Sequence, residues 1–363
     1  MNIFLDNVPA GTTVGVDLNH FQLPASKPFH GFKYLPKYNG NTIHILHFQS
    51  DETGIRYGYW INSEHHRYAV FQYDPVRELM VPQPDVSNEE ATYRFEQCQH
   101  LMIEYPENED SEQWKQLVEF IRWKEVRVWC ESEYNHESYV YVDSSMTSTE
   151  EANILQKRIG DTQQSMILAP TTECTLGYTP IRFKHPDSMR PEFKMHDFLD
   201  KSWYLTHVIL TRYHYSNMTS LFGELQFSYL NSIIFANYGS SLQWHNIIEL
   251  ICFSDCLAEQ KYGQVMGKLD SLLCVQMNRL PEEYEDFLIN TQLMQSCVKN
   301  STVPLPAWKK LAKEKFLGET ESEAEAADPD VEYEAASSDE DEYAPTVASQ
   351  LIYGARNKDP VVP

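Results

Sequence analysis

His245 and Glu249 are the first residues in this sequence that could do chemistry, because a helix would place side chains four positions apart on one face. Such a pair could contribute to a metal site, yet zinc needs three or four protein ligands and the sequence places no third one here. Cys252 and Cys256 repeat the spacing without a second cysteine pair to complete a sulfur site. We therefore expect a hydrogen-bonded histidine and core cysteines, and an enzyme using His245 and Glu249 is the least favoured alternative.

Motifs for nucleophilic and nucleotide chemistry do not occur in the sequence. There is no Gly-x-Ser-x-Gly elbow and no glycine-rich phosphate loop followed by lysine. Gly239 and Ser240 are better explained as a helix stop followed by an N-cap. The sequence therefore predicts a protein that is not an enzyme, with no catalytic residues, no metal and no cofactor.

The charge of the chain is strongly negative and unevenly distributed. The 363 residues carry 29 Lys and Arg against 53 Asp and Glu, for a net charge of −24, and residues 319–343 contain carboxylates but no Lys or Arg. Because such a surface repels a phosphate backbone, we expect no direct binding to nucleic acid. The seven cysteines are odd in number and widely spaced, and no apolar stretch approaches the length of a membrane span, which predicts a soluble protein in a reducing compartment.

Three serines are candidate phosphorylation sites. Ser337 and Ser338 precede the acidic run 339–342, the pattern that acid-directed kinases recognise. Ser254, followed by Asp255 at the predicted end of a helix, is a weaker candidate. Phosphorylation would deepen a local charge that is already negative.

A short apolar island, residues 347–353, follows the acidic run. Two readings have similar weight on the sequence alone. The segment adds a strand to the sheet edge of a partner, or it folds back on the β domain of its own chain. In the first case the binding residues are Val347, Leu351, Ile352 and Tyr353.

The elements that position these residues fall into four stretches. Residues 1–150 form a β-rich domain, 151–192 a linker, 193–318 an α-helical domain, and 319–363 an acidic, mostly disordered tail. Alternating runs at 42–48 and 68–73 predict an antiparallel sandwich or barrel, and runs at 126–129 and 139–142 predict a return to the sheet. Ser87 with Glu90 predicts the start of a helix. The fold class is α+β with several domains.

Several strings in both halves are similar to one known family. They are residues 28–31 (PFHG), 45–49 (ILHFQ), 56–60 (RYGYW), 72–75 (QYDP), 141–147 (YVDSSMT), 197–202 (DFLDKS), 222–227 (FGELQF), 237–245 (NYGSSLQWH) and 249–252 (ELIC). Together they resemble the Aar-two family of cistron-splicing factors, in its budding-yeast form. The acidic run 319–343 has no counterpart in that resemblance.

The resemblance implies an assembly factor of the U-five small nuclear ribonucleoprotein (snRNP), with a sandwich-like N-terminal domain and a VHS-like helical C-terminal domain. It implies binding to the RNase H-like and Jab/MPN domains of the scaffold Prp-eight, in which the C-terminal tail adds strand structure and the Brr-two helicase is kept from docking early. Release by phosphorylation is also implied, and Ser254 lies where such a site would be. Binding in the cytoplasm and entry into the nucleus with the partner would follow. The rival expectation is a general peptide-binding adaptor without a spliceosomal role.

Overall fold

Most of the described strands of this chain lie in two five-stranded β-sheets. The structure, a computed structural model, describes residues 1–24, 29–37, 42–51, 53–64, 66–145, 174–281, 284 and 288–317. Its strands are β1 Asn2–Asp6, β2 Thr13–Val16, β3 Asn19–Gln22, β4 Gly31–Lys33, β5 Ile43–Gln49, β6 Arg56–Asn62, β7 Tyr68–Asp74, β8 Leu79–Pro82, β9 Ile103–Glu104, β10 Cys130–Glu131, β11 Tyr139–Asp143 and β12 Thr175–Leu176. The first sheet has the order β8-β7-β1-β4-β9, the second has the order β11-β6-β5-β2-β3, and β10 pairs with β12.

The two sheets pack face to face, so the expected sandwich-like arrangement is confirmed. The ring of Tyr59 on β6 lies 5.0 Å from that of Phe71 on β7. Its hydroxyl donates to the Met80 carbonyl at 2.8 Å, and the Met80 N–H donates to the Tyr57 hydroxyl at 2.9 Å. Buried tyrosines need such partners, and here they join the two sheets.

The expectation of purely antiparallel sheets is wrong for the first sheet. β1 pairs in parallel with β7 and antiparallel with β4, and β4 pairs in parallel with β9. Because β1 lies inside the sheet, its residues Ile3, Phe4 and Leu5 are all buried. A continuous apolar run is typical of a strand covered on both faces.

Three helices accompany the sheets: α1 Asn88–Cys98, α2 Glu109–Leu117 and α3 Trp123–Trp129. The predicted start of α1 is confirmed, since the Ser87 side chain accepts the Glu90 N–H. The predicted strand at 126–129 is wrong because the segment belongs to α3. Val126 and Trp129, three positions apart, are buried on one face, while Val128 is 75% exposed.

The C-terminal half is helical, as predicted. Its helices are α4 Lys194–Leu199, a π-helical turn Tyr204–Ile209 that continues into α5 Leu210–Tyr213, α6 Met218–Phe235, α7 Tyr238–Cys252, α8 Gly263–Asn278, α9 Thr291–Asn300 and α10 Pro306–Leu317. The expected N-cap at Ser240 is wrong. Ala236 ends α6 with a φ of 52°, and the Asn237 side chain accepts the Ser240 N–H, so Gly239 and Ser240 lie inside α7.

Helix α6 joins the two halves through a shared core. Fifteen of its 18 residues are buried, which is typical of a helix surrounded on all sides. Trp60 of β6 donates its indole N–H to Asn231 at 2.8 Å, and its ring lies 4.8 Å from that of Phe227. Trp129 of α3 also contacts Phe227, at 5.4 Å.

The division at 150, 192 and 318 stays a prediction, since residues 146–173 and 318–363 lie outside the described part of the chain. No helix among the described residues is long and apolar enough to cross a membrane.

Gly223 allows α6 to approach the backbone of the N-terminal half closely. A Cβ at this position would lie 2.7 Å from the Phe120 carbonyl oxygen. We expect Gly223→Ala to lower the free energy of unfolding by about 1 to 3 kcal/mol, because backbone atoms must move apart. In the matched control Gly267→Ala on α8, where nothing lies within 4 Å, we expect a gain of about 0.5 to 1 kcal/mol. Urea titration measures both, and equal shifts would contradict the steric argument.

Candidate functional site

Ser254 lies in a buried corner at the end of α7. It is 0% exposed, its hydroxyl donates to the Leu250 carbonyl at 2.6 Å, and its N–H donates to the Ile251 carbonyl at 3.1 Å. The last carbonyls of a helix have no partner within the helix, and Ser254 satisfies two of them. Its hydroxyl is thus part of the packing at the end of α7.

The loop after α4 is bound to the same place. Lys201 donates its N–H to the Phe253 carbonyl at 2.7 Å, and the N–H of Asp255 donates to the Asp200 carboxylate at 3.1 Å. The N–H of Cys256 donates to the Ser202 hydroxyl at 2.9 Å. We call residues 200–202 and 253–256 the Ser254 corner. The Ser254 corner therefore connects the end of α7 to the loop that follows α4.

Apolar side chains are exposed on and beside α4. Phe193 is 51% exposed, Met195 76%, Phe198 50% and Leu199 69%, and we call these four residues the α4 surface. Groups of exposed apolar side chains mark protein interaction sites.

Helix α4 is fixed in place by an ion pair below the α4 surface. Arg190 donates to both carboxylate oxygens of Asp197, at 2.9 and 2.7 Å, and Asp197 is 1% exposed. The Arg190 guanidinium holds the pKa of the Asp197 carboxyl far below its usual range. This geometry is the strong, bidentate form of an arginine–carboxylate pair. The apolar side chains of α4 are consequently presented on a rigid support.

A cleft of about 710 Å³ borders the α4 surface and contains the predicted His245 and Glu249. Phe198 contributes to both features. We call it the basic cleft, because basic side chains outnumber acidic ones along it. Its lining residues are Arg182, Phe183, Lys184, His185, Phe198, Lys201, Tyr238, Ser241, Leu242, His245, Asn246, Glu249, Leu288, Ile289, Asn290 and Leu293.

Both ring nitrogens of His245 are used by the backbone. Nδ1 donates to the Ser241 carbonyl at 2.7 Å, and Nε2 accepts the Asn290 N–H at 2.9 Å. Burial lowers the pKa of His245 to about 4, so the ring is neutral. Burial also raises the pKa of Glu249, an effect that Lys201 opposes. His245 therefore links α7 to the start of α9, and no nitrogen is left for catalysis.

The two cysteines considered as metal ligands, Cys252 and Cys256, are not part of a metal site among the described residues. Cys252 is buried as expected, whereas Cys256 is half-buried, and both are free thiols. Among the described residues, no group of three His, Cys, Asp or Glu side chains could hold a metal ion. The enzyme alternative loses its geometric support at His245 and Glu249.

Stability should fall with acid because His245 is buried in its neutral form. Between pH 6.5 and 4 the unfolded chain binds a proton at this residue and the folded chain does not, so stability decreases by about 1.4 kcal/mol per pH unit. We expect the stability difference between wild type and His245→Asn to shrink by about 2 kcal/mol from pH 7 to pH 5. Urea unfolding at the two pH values checks this, with exposed His100→Asn as control. A constant difference would contradict it.

The remaining predicted sites cannot be placed on this geometry. Ser337, Ser338, Val347, Leu351, Ile352 and Tyr353 lie outside the described residues. Asp200 and Lys201 are the residues that sequence reasoning missed. Their signal was present in the string at 197–202, where three of six residues are charged.

Comparisons with known proteins identify the family. A model of the AAR2 N-terminal domain matches residues 2–131, and a model of the AAR2 C-terminal repeat region matches residues 178–326. The chain is 34% identical over 361 residues to the A1 cistron-splicing factor AAR2 of Saccharomyces cerevisiae, covering 96% of this chain and 97% of that protein. The chain belongs to the AAR2 family. This confirms the resemblance to the Aar-two family, budding-yeast type.

The AAR2 relatives extend beyond yeast. The AAR2 homolog of Homo sapiens is 24% identical over 308 residues, covering 77% of this chain and 75% of that protein, and the homolog of Mus musculus is 24% identical over 304 residues. AAR2 is not a known enzyme family. The first AAR2 match ends at residue 131 and the second begins at Tyr178. The matched regions therefore include the Ser254 corner and strands β1 to β10, whereas β11 and β12 lie between the two matches.

Proposed function

We propose that this AAR2 protein is a pre-mRNA splicing factor that acts as an assembly chaperone of the U-five snRNP. The observation that carries the proposal is the 34% identity, over nearly the full length of both chains, to a protein named as a cistron-splicing factor. Family membership supports a general role in splicing, with a spliceosomal protein as partner. The net charge of −24 agrees with protein contacts and not with direct RNA binding.

The proposed partner is the Prp-eight scaffold, bound through its RNase H-like and Jab/MPN domains. While bound, the protein prevents premature docking of the Brr-two helicase. The α4 surface supplies a rigid apolar contact of the kind found at the centre of protein interfaces. The tail residues Val347, Leu351, Ile352 and Tyr353 would add a strand to the sheet edge of the scaffold.

Release is proposed to follow phosphorylation. A phosphate adds about −1.5 to −2 charges. At Ser254 it would displace the hydroxyl from the Leu250 carbonyl and separate the Ser254 corner from α4. At Ser337 and Ser338 it would add charge beside the tail strand. We further propose that the protein binds its partner in the cytoplasm and enters the nucleus with it.

A pull-down with purified RNase H-like and Jab/MPN domains tests this function. The full chain should bridge both domains in about 0.3 M salt, and deletion of residues 319–363 should weaken the complex. Met195→Ser with Leu199→Ser should reduce binding about tenfold or more, since both side chains are exposed on α4. Val128→Ser, at a 75% exposed position of α3, is the matched control. Failure of the full chain to bind either domain would favour the adaptor alternative.

A further inference from the structure

The basic cleft reverses the charge balance of the chain. Among the residues that the structure describes, Arg182, Lys184 and Lys201 line it, against the carboxylate of Glu249. In the whole chain, acidic residues outnumber basic ones by 53 to 29. The cleft therefore attracts an acidic ligand, whereas most of the molecule repels one.

The cleft is also suited to apolar and aromatic side chains. Phe183, Phe198, Leu242 and Leu293 line it, together with the amide groups of Asn246 and Asn290. A ligand that fits both parts is a peptide in which carboxylates alternate with apolar residues. Apolar walls with a few polar groups are the usual character of a binding cleft.

The C-terminal part of this chain begins close to the cleft. Helix α10 ends at Leu317, and the neighbouring Phe316 carbonyl accepts the side-chain N–H of Gln295 on α9 at 2.9 Å. The same helix α9 contributes Leu293 to the cleft. The 14 residues 318–331 can extend about 45 Å, which exceeds the length of about 15 Å of the ten-residue helix α9.

We propose that residues 328–334 of this chain, with the sequence Asp-Pro-Asp-Val-Glu-Tyr-Glu, occupy the basic cleft when no partner is bound. In an extended conformation Val331 and Tyr333 point to one side and face the apolar walls. Asp330, Glu332 and Glu334 point to the other side, towards the basic side chains of the cleft. Within the acidic run, this is the stretch where acidic residues alternate with large apolar ones.

Occupancy of the cleft would also cover part of the α4 surface, because Phe198 belongs to both. The tail would then compete with any protein that binds α4. The contact itself does not depend on the identity of that protein, so the proposal stands apart from the splicing function.

Zero-length carbodiimide crosslinking of the full chain, read by mass spectrometry, tests the contact. We expect bonds from the carboxylates of residues 328–334 to the amine of Lys184. Val331→Ser with Tyr333→Ser should reduce these bonds at least fivefold, while the control Tyr343→Ser leaves them unchanged. Arg182→Glu should reduce them although the Lys184 amine is retained, and Arg127→Glu on α3 should not.

Three results would overturn the proposal. The first is crosslinking of residues 328–334 only to the lysines of α10, which are near in sequence. The second is crosslinking between isotopically labelled and unlabelled chains, which would make the occupant a second copy. The third is an unchanged yield in the Val331 and Tyr333 double variant, which would show adventitious contact.

Discussion

Replacing Glu224 by alanine is expected to lower the free energy of unfolding by about 3 to 5 kcal/mol. Glu224 lies on α6 at 0% exposure, where its carboxylate accepts the N–H and the hydroxyl of Thr179 at 2.8 and 2.6 Å. It also accepts the side-chain N–H of Gln243 at 2.8 Å and lies 3.2 Å from His214. Removing the carboxylate leaves several buried donors without an acceptor, and each costs free energy.

Urea unfolding of Glu224→Ala, with Glu119→Ala as control, measures this effect. Glu119 is 47% exposed and pairs with Lys268 on the surface, so its loss should cost less than about 1 kcal/mol. Glu224→Gln should fall between the two, because an amide retains one acceptor oxygen. A loss below about 1.5 kcal/mol in Glu224→Ala would mean that water or rearranged side chains satisfy the donors.

Ser254→Asp is expected to lower the free energy of unfolding by about 3 kcal/mol or more and to abolish scaffold binding. The introduced carboxylate would be buried against the Leu250 carbonyl, which also accepts hydrogen bonds and cannot pair with it. Ser254→Ala should cost only about 1 kcal/mol, the value of one hydrogen bond, and should keep binding. The difference between the two variants isolates the effect of charge.

Hydrogen exchange locates the effect of Ser254→Asp. We expect faster exchange at the Lys201, Asp255 and Cys256 amides, whose acceptors all lie in the Ser254 corner. The tail variant Ser337→Asp with Ser338→Asp is the control and should leave these amides protected. Normal binding by Ser254→Asp would contradict the corner as a switch.

The burial of Ser254 also limits how a kinase can reach it. At 0% exposure the hydroxyl is accessible only when the end of α7 opens. Phosphorylation would then trap the opened form, because the added charge cannot return to the buried position. The exposed apolar side chains of α4 would lose their support in the same event.

Local patterns predicted the secondary structure well for three strands and for the helical half. The alternating runs at 42–48, 68–73 and 139–142 are strands, and the helical period after residue 193 is confirmed. The four residues 126–129 fit both periods, and only their packing against α6 selects the helix. The parallel partner of β1 lies more than 60 residues away, and no local pattern contains that information.

The candidate site was less accessible to prediction. His245 and Glu249 were correctly expected on one helix, but the backbone partners of His245 come from two separate segments. Ser254 was placed at a helix end, yet its burial depends on the loop that contains Lys201. The exposure of Phe198 depends on the orientation of α4, which the ion pair between Arg190 and Asp197 holds in place.

The sharing of one core between the two halves has a consequence for synthesis on the ribosome. Helix α6 supplies the aromatic partners of Trp60, Trp129 and Phe120. The core of the N-terminal half therefore cannot be completed until α6, which ends at Phe235, has left the ribosome. The roughly 90 residues between Asp143 and Phe235 take about 5 to 20 s to translate. During that interval the nascent chain exposes two tryptophans, and a ribosome-associated chaperone would find its binding site there.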